Sequence, residues 1–410
     1  MNRLREFYAS LTLKPQGATM VVAGFLPIFA IIAMFPVVAS LIGHFHDVPN
    51  AAILVPAMVT APGYAIAILA PFAGLAVDRF GRRRLLLACT LAYGVVGSAP
   101  FFLEDLTPII VSRVLLGVCE AGILTIVNTL IADYWDDAGR RNWLMAQGVI
   151  GPALQGAVLI GVSAVAAIRW NAGFLVYLVA LPIFVAMYFT TFEPKKPGVA
   201  DPATASVRAP TSASDGPFPL AAALGVAALT FVTGLIYYVF IVNGSLAWAE
   251  IGVRDPMAVS RATFWPSMFV MAGAALFRVV SRYSSATQIA VFMLLFAVGL
   301  GGIGLARDVL QLQLALIVQQ TAAGMAVPTL IAWAQSQFGF AHRGRGMGLW
   351  TSAFFLGQAV SPIVVGMIAG RTGTMQGAFF VAGVAALALA IGAVAASLRR
   401  LHPLPVSQTQ

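Results

Sequence analysis

The chain has 410 residues, of which 60% are apolar and only 10% are charged, and its mean hydropathy is +0.90. A soluble globular protein carries roughly 25% charged residues, and a disordered chain combines low hydropathy with high charge, so both classes are excluded. About twelve helices of about 20 residues each would use ~240 residues to cross a membrane, which matches the apolar fraction. The composition therefore predicts a polytopic membrane protein with short loops and no large soluble domain.

Apolar runs long enough to cross the hydrocarbon core recur along the whole chain. In chain order they fall at about 18–43, 51–77, 85–103, 108–132, 143–167, 172–192, 218–243, 258–280, 287–306, 309–333, 346–369 and 376–398. The stretch 193–217, rich in Pro, Ala, Ser and Thr, predicts a flexible linker. We therefore expect an all-α membrane protein with twelve transmembrane helices in two six-helix bundles, residues 1–192 and 218–410.

The positive charges predict the orientation of these runs. With both termini placed in the cytoplasm, 18 of the 24 Lys and Arg residues fall in the tails and cytoplasmic loops, and five fall in the outer loops. Cytoplasmic loops of membrane proteins carry such an excess. The bias accounts for the net charge of +9 without a nucleic-acid partner, and it predicts an integral protein of a bacterial cytoplasmic membrane with both termini inside.

The two groups of six runs resemble each other at a fixed offset. The string Thr-Leu-Ile-Ala at 129–132 recurs at 329–332, and the loop at 78–82 corresponds at the same offset to the loop at 278–282. Parallel repeats of this kind are a known transporter plan, with the substrate site near the membrane midplane between the halves. The repeat therefore predicts two pseudo-symmetric halves.

The loop after the second run reads Gly-Leu-Ala-Val-Asp-Arg-Phe-Gly-Arg-Arg-Arg at 74–84. A glycine at its start lets helices approach closely, a second permits a tight turn, and the aspartate can cap a helix or pair with an arginine. A plain basic loop, the alternative, would not need these residues. The string resembles the Gly-x-x-x-Asp-Arg-x-Gly-Arg-Arg loop of the major facilitator superfamily. The resemblance implies that fold, alternating access, and gating residues at Gly74, Asp78, Arg79, Gly81 and Arg82.

The fourth run holds Arg113 and Glu120, the only charged residues near the interior of any run. Ionisable groups at such depth are functional candidates. A spacing of seven residues puts both on nearly one helix face, about 10.5 Å apart along the axis, so contact requires Arg113 to bend or a water or substrate to bridge them. Burial favours the protonated form of a carboxylate. We therefore predict that Glu120 carries protons and, with Arg113, binds substrate; a purely structural pair is the alternative.

Further resemblances within the superfamily point to proton coupling. Arg113 and Glu120, with an alanine after the glutamate, resemble proton-coupled organic-anion symporters and Spinster-type lysolipid transporters. In the fifth run, Gly151, Pro152 and a later glycine partly match the Gly-Pro-x-x-Gly-Gly signature of proton-driven efflux antiporters, and Pro362 lies in a cognate string of the eleventh run. The resemblance implies that Gly151, Pro152 and Pro362 take part in gating; a simple helix bend is the alternative.

In the superfamily, the first, fourth, seventh and tenth helices line the central cavity. The first run here has no charged residue between 17 and 43, which weakens the case for an organic-acid substrate. A cavity of aromatic and amide groups with one carboxylate suits an amphipathic neutral or cationic solute. The further candidates for substrate binding are Asn128, Gln147, Tyr237, Tyr238, Gln320 and Gln358. The two tyrosines fall toward the outer end of the seventh run, where aromatic residues gather regardless of ligand.

The sequence therefore predicts a proton-coupled secondary transporter that exports amphipathic or drug-like molecules. Two alternatives remain open: proton-linked uptake of an organic acid or sugar acid, and transport of a lysolipid. An enzyme is disfavoured because the runs carry no paired carboxylates, nucleophile with a base, or set of metal ligands. The expected partners are a small-molecule substrate, protons and membrane lipid, and we expect a monomer without a metal or cofactor.

Overall fold

The computed structural model describes residues 15–72, 79–135, 137–166, 168–193, 217–339 and 342–401. Within these ranges the regular structure is helical. Eleven segments are long and apolar enough to cross a membrane; in the expected fifth span the apolar part is the shorter helix 154–166, within a continuous helix of 30 residues. The predicted all-α membrane fold is confirmed. The predicted linker lies almost wholly outside the described residues, and the bounds of the two halves stay a prediction.

We number the spans in chain order and call the bundle end that carries Pro15 and Leu401 the proximal end, and the opposite end the distal end. The helices of the N-terminal half are Pro15–Ala23, Leu26–Met34 and Val38–His44 (first span), Ala51–Leu69 (second), Arg82–Ser98 (third), Leu106–Tyr134 (fourth), Asp137–Ala166 (fifth) and Ala180–Thr190 (sixth). Short 3-10 helices cover Phe35–Val37 within the first span, Ala99–Phe102 at the end of the third and Ala172–Val179 at the start of the sixth. Those of the C-terminal half are Leu220–Glu250 (seventh), Pro256–Ser267 and Val270–Val280 (eighth), Ser285–Leu305 (ninth), Val309–Ser336 (tenth), Arg343–Thr372 (eleventh) and Met375–Leu401 (twelfth).

The first span is broken twice. Pro27 follows the first break and Pro36 lies in the 3-10 segment at the second, because proline supplies no N–H to continue the helical ladder. Two buried tyrosines from other spans hold the middle piece: the Tyr93 hydroxyl donates to the Leu26 carbonyl at 2.6 Å, and the Tyr177 hydroxyl donates to the Ala30 carbonyl at 2.8 Å. The third and sixth spans thus fix the middle of the first.

Close helix packing in the N-terminal half brings the second span against the fourth. A Cβ at Gly117 would lie 2.6 Å from the Cα of Pro62, so only glycine fits at this crossing. Small residues at such crossings let backbones approach in a membrane. Gly117 lies about one helical turn from Glu120. The close contact with Pro62 therefore fixes the position of the fourth span beside the Glu120 carboxylate.

The two halves meet toward the distal end. Between the first and seventh spans, the ring centroids of Phe35 and Phe240 lie 5.4 Å apart. Between the fifth and eighth spans, the hydroxyl oxygens of Ser163 and Ser260 lie 2.6 Å apart, and both serines are buried. All four residues lie in the distal halves of their spans, so the distal side is closed here.

The second and eleventh spans also join the halves. The Thr60 hydroxyl donates to the Ala359 carbonyl at 3.3 Å near the middle of both spans. Nearer the distal end, a Cβ at Gly366 would lie 2.9 Å from Ile53. This pair of spans therefore forms a seam between the halves that reaches the depth of Glu120.

Candidate functional site

Glu120 lies at the midpoint of the fourth span, Leu106–Tyr134, and its side chain is 0% exposed. Neither carboxylate oxygen has a hydrogen-bond partner among the described residues. A charged carboxylate without a partner is very costly in an apolar interior. The prediction that a lone acidic group lies deep in the fourth span is confirmed, and its lack of partners leaves both oxygens available to a proton or a solute.

Arg113 is also buried, at 1% exposed, but the protein itself occupies most of its guanidinium. Nη2 donates to the carbonyl of Gly97 at 2.6 Å and to that of Val96 at 3.3 Å. The same group lies over the ring of Tyr177 at 4.7 Å and over that of Phe174 at 5.1 Å, in cation–π geometry. These contacts tie the fourth span to the third and sixth, so the geometry favours a structural role for Arg113.

The two charged groups do not form an ion pair. No nitrogen of Arg113 lies within 4.0 Å of a Glu120 oxygen, since the described residues contain a single such bridge, His46 to Asp47. Arg113 keeps one nitrogen, Nη1, without a hydrogen-bond partner. The two remain within electrostatic range of each other, and each keeps an atom without a hydrogen-bond partner among the described residues.

Glu120 also lies within electrostatic range of the other half of the molecule. It lies within electrostatic range of Tyr93 in the third span and of Tyr238 in the seventh. Tyr238 is 8% exposed and packs on Phe354 of the eleventh span, with ring centroids 5.6 Å apart. The carboxylate thus lies within electrostatic range of one member of an aromatic cluster in the other half.

The aromatic cluster belongs to the C-terminal half. Phe354 is its centre: it stacks on Trp350 at 5.3 Å and contacts Tyr237 at 5.6 Å, as well as Tyr238. The expectation that both tyrosines lie toward the outer end is wrong, because the seventh span continues to Glu250 and places them near its middle. Their depth weakens the alternative of a membrane-interface belt.

Buried amides add polar capacity beside this cluster. Gln319 and Gln358 are each 0% exposed, and in both the amide oxygen and nitrogen lack hydrogen-bond partners among the described residues. The Gln358 amide lies across the seam from Gly63 of the second span. Gln320, at the position equivalent to Glu120, is buried at 6% exposed. Buried amides without partners are expensive, so these groups are candidates for contact with a bound molecule.

Not every predicted site residue can be placed. The side chains of Asn128, Gln147 and Pro152 lie outside the described part of the structure, and their predicted roles stay predictions. Gly151 lies against the ring of Phe25, next to the proximal break in the first span. Its close packing there is compatible with the predicted role in helix movement.

Pro362 lies within the helix of the eleventh span, which is continuous from Arg343 to Thr372. Proline removes one hydrogen bond from a helix interior. The position follows the seam residue Ala359 by three residues, so a bend at Pro362 would act on the contact with Thr60. The predicted gating role stays a prediction.

The predicted gating loop is described in part. Gly74 and Asp78 lie outside the described residues. Gly81 has a φ of +81°, which is the left-handed region that its glycine permits. The Arg79 guanidinium lies 5.7 Å from the Phe80 ring at an exposed position.

A residue that the sequence analysis assigned to the linker completes this loop. The Glu193 carboxylate accepts hydrogen bonds from the backbone N–H groups of Arg82 and Arg83, both at 2.8 Å. It therefore caps the N-terminus of the third helix, where the helix dipole stabilises a negative charge. Arg83 in turn donates from Nε to the Thr191 carbonyl at 2.8 Å. The end of the sixth span is thereby attached to the loop.

The described residues include no group of three or more His, Cys, Asp or Glu side chains placed to hold a metal ion. The buried groups within electrostatic range of Glu120 include three tyrosines, one arginine and one cysteine, namely Tyr93, Tyr177, Tyr238, Arg113 and Cys119. Such groups offer hydrogen bonds and cation–π contacts.

Comparison with known proteins agrees with this architecture. The family model described as Major Facilitator Superfamily matches residues 20–310 and 278–410. Among solved structures, a nucleoside transporter, NupG, superposes with a TM-score of 0.73 at 12% identity, covering 93% of this chain and 99% of that one. The human organic anion transporter MFSD10 (TETRAN) gives a TM-score of 0.65 at 16% identity, covering 92% and 99%. Identities this low establish the fold alone.

Curated relatives match over shorter segments. A triacylglyceride transporter of Mycobacteroides abscessus is 40% identical over 101 residues, which cover 24% of this chain and 19% of that protein. The multidrug efflux pump LfrA of Mycolicibacterium smegmatis is 32% identical over 118 residues, which cover 27% and 22%. Solute carrier family 22 member 22 of Mus musculus is 33% identical over 122 residues, which cover 30% of this chain and 21% of that protein. The aligned segments thus span about a fifth of each relative.

Proposed function

Because the chain belongs to the Major Facilitator Superfamily, we propose that it is a proton-coupled secondary transporter that exports amphipathic, preferably cationic, small molecules. Membership makes it a membrane transporter of small molecules. The coupling ion, the direction and the solute class are our proposal. The observation that carries it is Glu120, a fully buried carboxylate at mid-span whose two oxygens have no partner among the described residues.

The proposed coupling follows from competition at one carboxylate. With the distal side closed and no solute bound, Glu120 carries a proton, because an unpartnered charge there would be costly. An arriving cation supplies the missing partner charge, so the proton leaves as the solute binds. Proton and solute then occupy Glu120 in turn, which is the requirement for antiport.

The aromatic cluster of the C-terminal half supports the proposal of an aromatic or amphipathic solute. Tyr238, Tyr237, Phe354 and Trp350 form one packed cluster. Aromatic faces attract cations and stack on flat apolar rings. The segment similar to the multidrug efflux pump LfrA supports the export of drug-like molecules.

The proposed direction uses the positive-inside bias. The proximal loops carry most of the basic residues, so we place the proximal end in the cytoplasm and the distal end outside. The bacterial cytoplasmic membrane is the proposed location. The closed distal side then corresponds to a cytoplasm-facing stage of alternating access.

A proton-release measurement tests the proposal directly. Ethidium serves as the cationic amphipathic probe and is added to purified protein in weakly buffered solution with a pH indicator. We expect release of about one proton per bound ethidium in the wild type and none in Glu120→Gln. Glu104→Gln, at an exposed distal position, is the matched control and should behave as wild type. Equal release by Glu120→Gln would contradict the proposed role.

A second candidate is lipid export, favoured by the segment that is 40% identical to a triacylglyceride transporter. The first span, without a charged residue from 17 to 43, is compatible with a lipid substrate. Counterflow of a fluorescent lysolipid against ethidium in proteoliposomes separates the two candidates. Uptake of an organic acid is disfavoured, because the Arg113 guanidinium is held by Gly97 and two aromatic rings.

A further inference from the structure

A cavity of about 540 Å³ lies at the distal end, between the two halves and far from Glu120. Its walls come from the distal ends of the first, second, seventh and eleventh spans and from the start of the twelfth. The N-terminal half contributes Ser40 and Ile42, and the C-terminal half contributes Leu246, Glu250 and Arg254. We call this the distal cavity. Its volume is within the range of small-molecule sites.

Arg254 is the charged group in this cavity that lacks a protein partner. It is exposed, and its guanidinium makes no hydrogen bond or ion pair with any residue in the described part of the chain. The neighbouring Asp255 is already engaged, since its carboxylate accepts a hydrogen bond from the Ala258 N–H at 2.7 Å. The guanidinium therefore keeps its full set of donors for a ligand.

The other charge in the cavity is balanced. The Glu250 carboxylate accepts hydrogen bonds from the N–H groups of Met375 and Gln376, one on each oxygen. These are the first residues of the twelfth helix, where the helix dipole favours a negative charge. The cavity thus presents one uncompensated positive group and one carboxylate that is already bound to backbone.

The remaining wall is mostly apolar. Ala39 and Ile42 from the first span face Leu246, Ala249 and Ala369 from the seventh and eleventh spans across the cavity. An apolar chain placed there would remove its surface from water. The site therefore combines an anion-binding end at the membrane surface with an apolar slot between the halves.

We propose that the distal cavity binds a monoanionic amphipath, such as a medium-chain fatty carboxylate, with its carboxylate on Arg254 and its chain between the halves. Both halves build the slot, so its shape depends on the distal side being closed. A ligand shifts an equilibrium toward the state that it binds better. Occupancy therefore stabilises the closed distal side and slows the opening step, which makes the cavity an inhibitory site separate from Glu120.

Ligand-dependent thermal unfolding in lipid nanodiscs tests the site. The probes are octanoate, octylamine and octanol, which share a chain and differ in charge. We expect octanoate to raise the unfolding temperature of the wild type in a saturable way, and octylamine and octanol to have no such effect. Arg254→Gln should weaken octanoate binding about fivefold, the size expected for an exposed charge pair. Arg371→Gln, an exposed distal arginine outside the cavity, is the matched control.

Charge reversal gives a second, independent variant. Arg254→Glu should lose octanoate binding and gain octylamine binding. Equal stabilisation of the wild type by all three probes would show partition into lipid and overturn the proposal, as would unchanged octanoate binding by Arg254→Gln. Octanoate binding should persist in Glu120→Gln, so the result does not depend on the proposed coupling at Glu120.

Discussion

The two halves of the molecule share one plan and differ in charge at equivalent depths. At an offset of 200 residues, Arg113 and Glu120 of the fourth span correspond to Gln313 and Gln320 of the tenth. Among the described residues, the buried Arg and Glu side chains lie in the N-terminal half, and the C-terminal half holds neutral amides and a packed aromatic cluster. We propose that this difference reflects a division of roles, with proton exchange in one half and solute recognition in the other.

The equivalent polar residues also differ in how they are held. The Arg113 guanidinium lies against two carbonyls and two aromatic rings. Gln313, half-buried, makes one amide hydrogen bond to the Ala262 carbonyl at 3.0 Å. The N-terminal site is therefore fixed more firmly by its own residues, and its free group is the carboxylate.

The largest expected effect is that of Glu120→Gln. We expect proton-driven ethidium transport in proteoliposomes to fall to the level of protein-free vesicles, because the amide cannot exchange a proton. The protein should remain as stable as the wild type, since a neutral amide replaces a buried acid. Retained proton-driven transport in the variant would contradict the proposal that the N-terminal half exchanges the proton at Glu120.

Arg113→Gln should lower the free energy of unfolding by about 3 kcal/mol, since it removes charge-assisted hydrogen bonds and cation–π contacts together. Gln313→Ala is the matched variant of the other half and should cost about 1 kcal/mol, the value of one neutral hydrogen bond. Unfolding in mixed detergent measures both. Equal losses would show that the two positions are held alike.

Gln358→Leu should raise the stability of the protein and weaken its binding of ethidium. Removing a buried amide without partners should raise the free energy of unfolding by about 1 kcal/mol. Ethidium affinity should fall about fivefold if the amide contacts the solute. Leu356→Ala, at an exposed position of the same span, should leave affinity unchanged. A loss of stability in Gln358→Leu would mean that the amide has partners within the protein.

Tyr93→Phe should cost about 1 kcal/mol of stability, because it deletes the hydroxyl bound to the Leu26 carbonyl. The equivalent residue, Met293, is buried and has no such bond, so Met293→Leu should cost less. Thermal unfolding of the two variants compares them. A loss for Met293→Leu as large as that for Tyr93→Phe would show that packing, not the hydrogen bond, sets the cost.

The smallest expected effect is that of moving the carboxylate. In the Glu120→Gln background, a second change, Gln320→Glu, should not restore proton-driven transport, because the carboxylate would lie on the side of the amides. The double variant and Glu120→Gln are compared in the same proteoliposome assay. Restored coupling would show that depth alone, and not the half of the molecule, sets the role.

Much of the fold follows from local sequence properties. Run length and hydropathy predict the helices to within a few residues at most ends, as for the tenth span, predicted from 309 and found at Val309. Scarcity of charge predicts Arg113 and Glu120 as the buried ionisable pair, and they are the buried charged residues in the described ranges. These predictions succeed because every residue of a span lies in the same apolar environment, where backbone polar groups must be paired within the helix.

The remaining features depend on packing between distant segments. Asn243, Gly244 and Ser245 lower the local hydropathy, so the seventh run was predicted to end there; they are buried instead, and the helix continues. Glu193 caps a helix that begins 111 residues earlier, a pairing that no local pattern indicates. The orientation of Arg113 toward Tyr177 likewise required the placement of the sixth span, although a tyrosine deep in an apolar run does predict a polar partner.

The divided first span has a mechanical consequence. Its middle piece is tied to the N-terminal half by the hydroxyls of Tyr93 and Tyr177. The 3-10 segment Phe35–Val37 follows this piece, and the ring of Phe35 packs on Phe240 of the opposite half. This short segment therefore lies where the first span passes from contacts within its own half to a contact with the other half. We expect that torsion of a few backbone bonds here would let the halves separate while the hydrogen bonds to the middle piece stay intact.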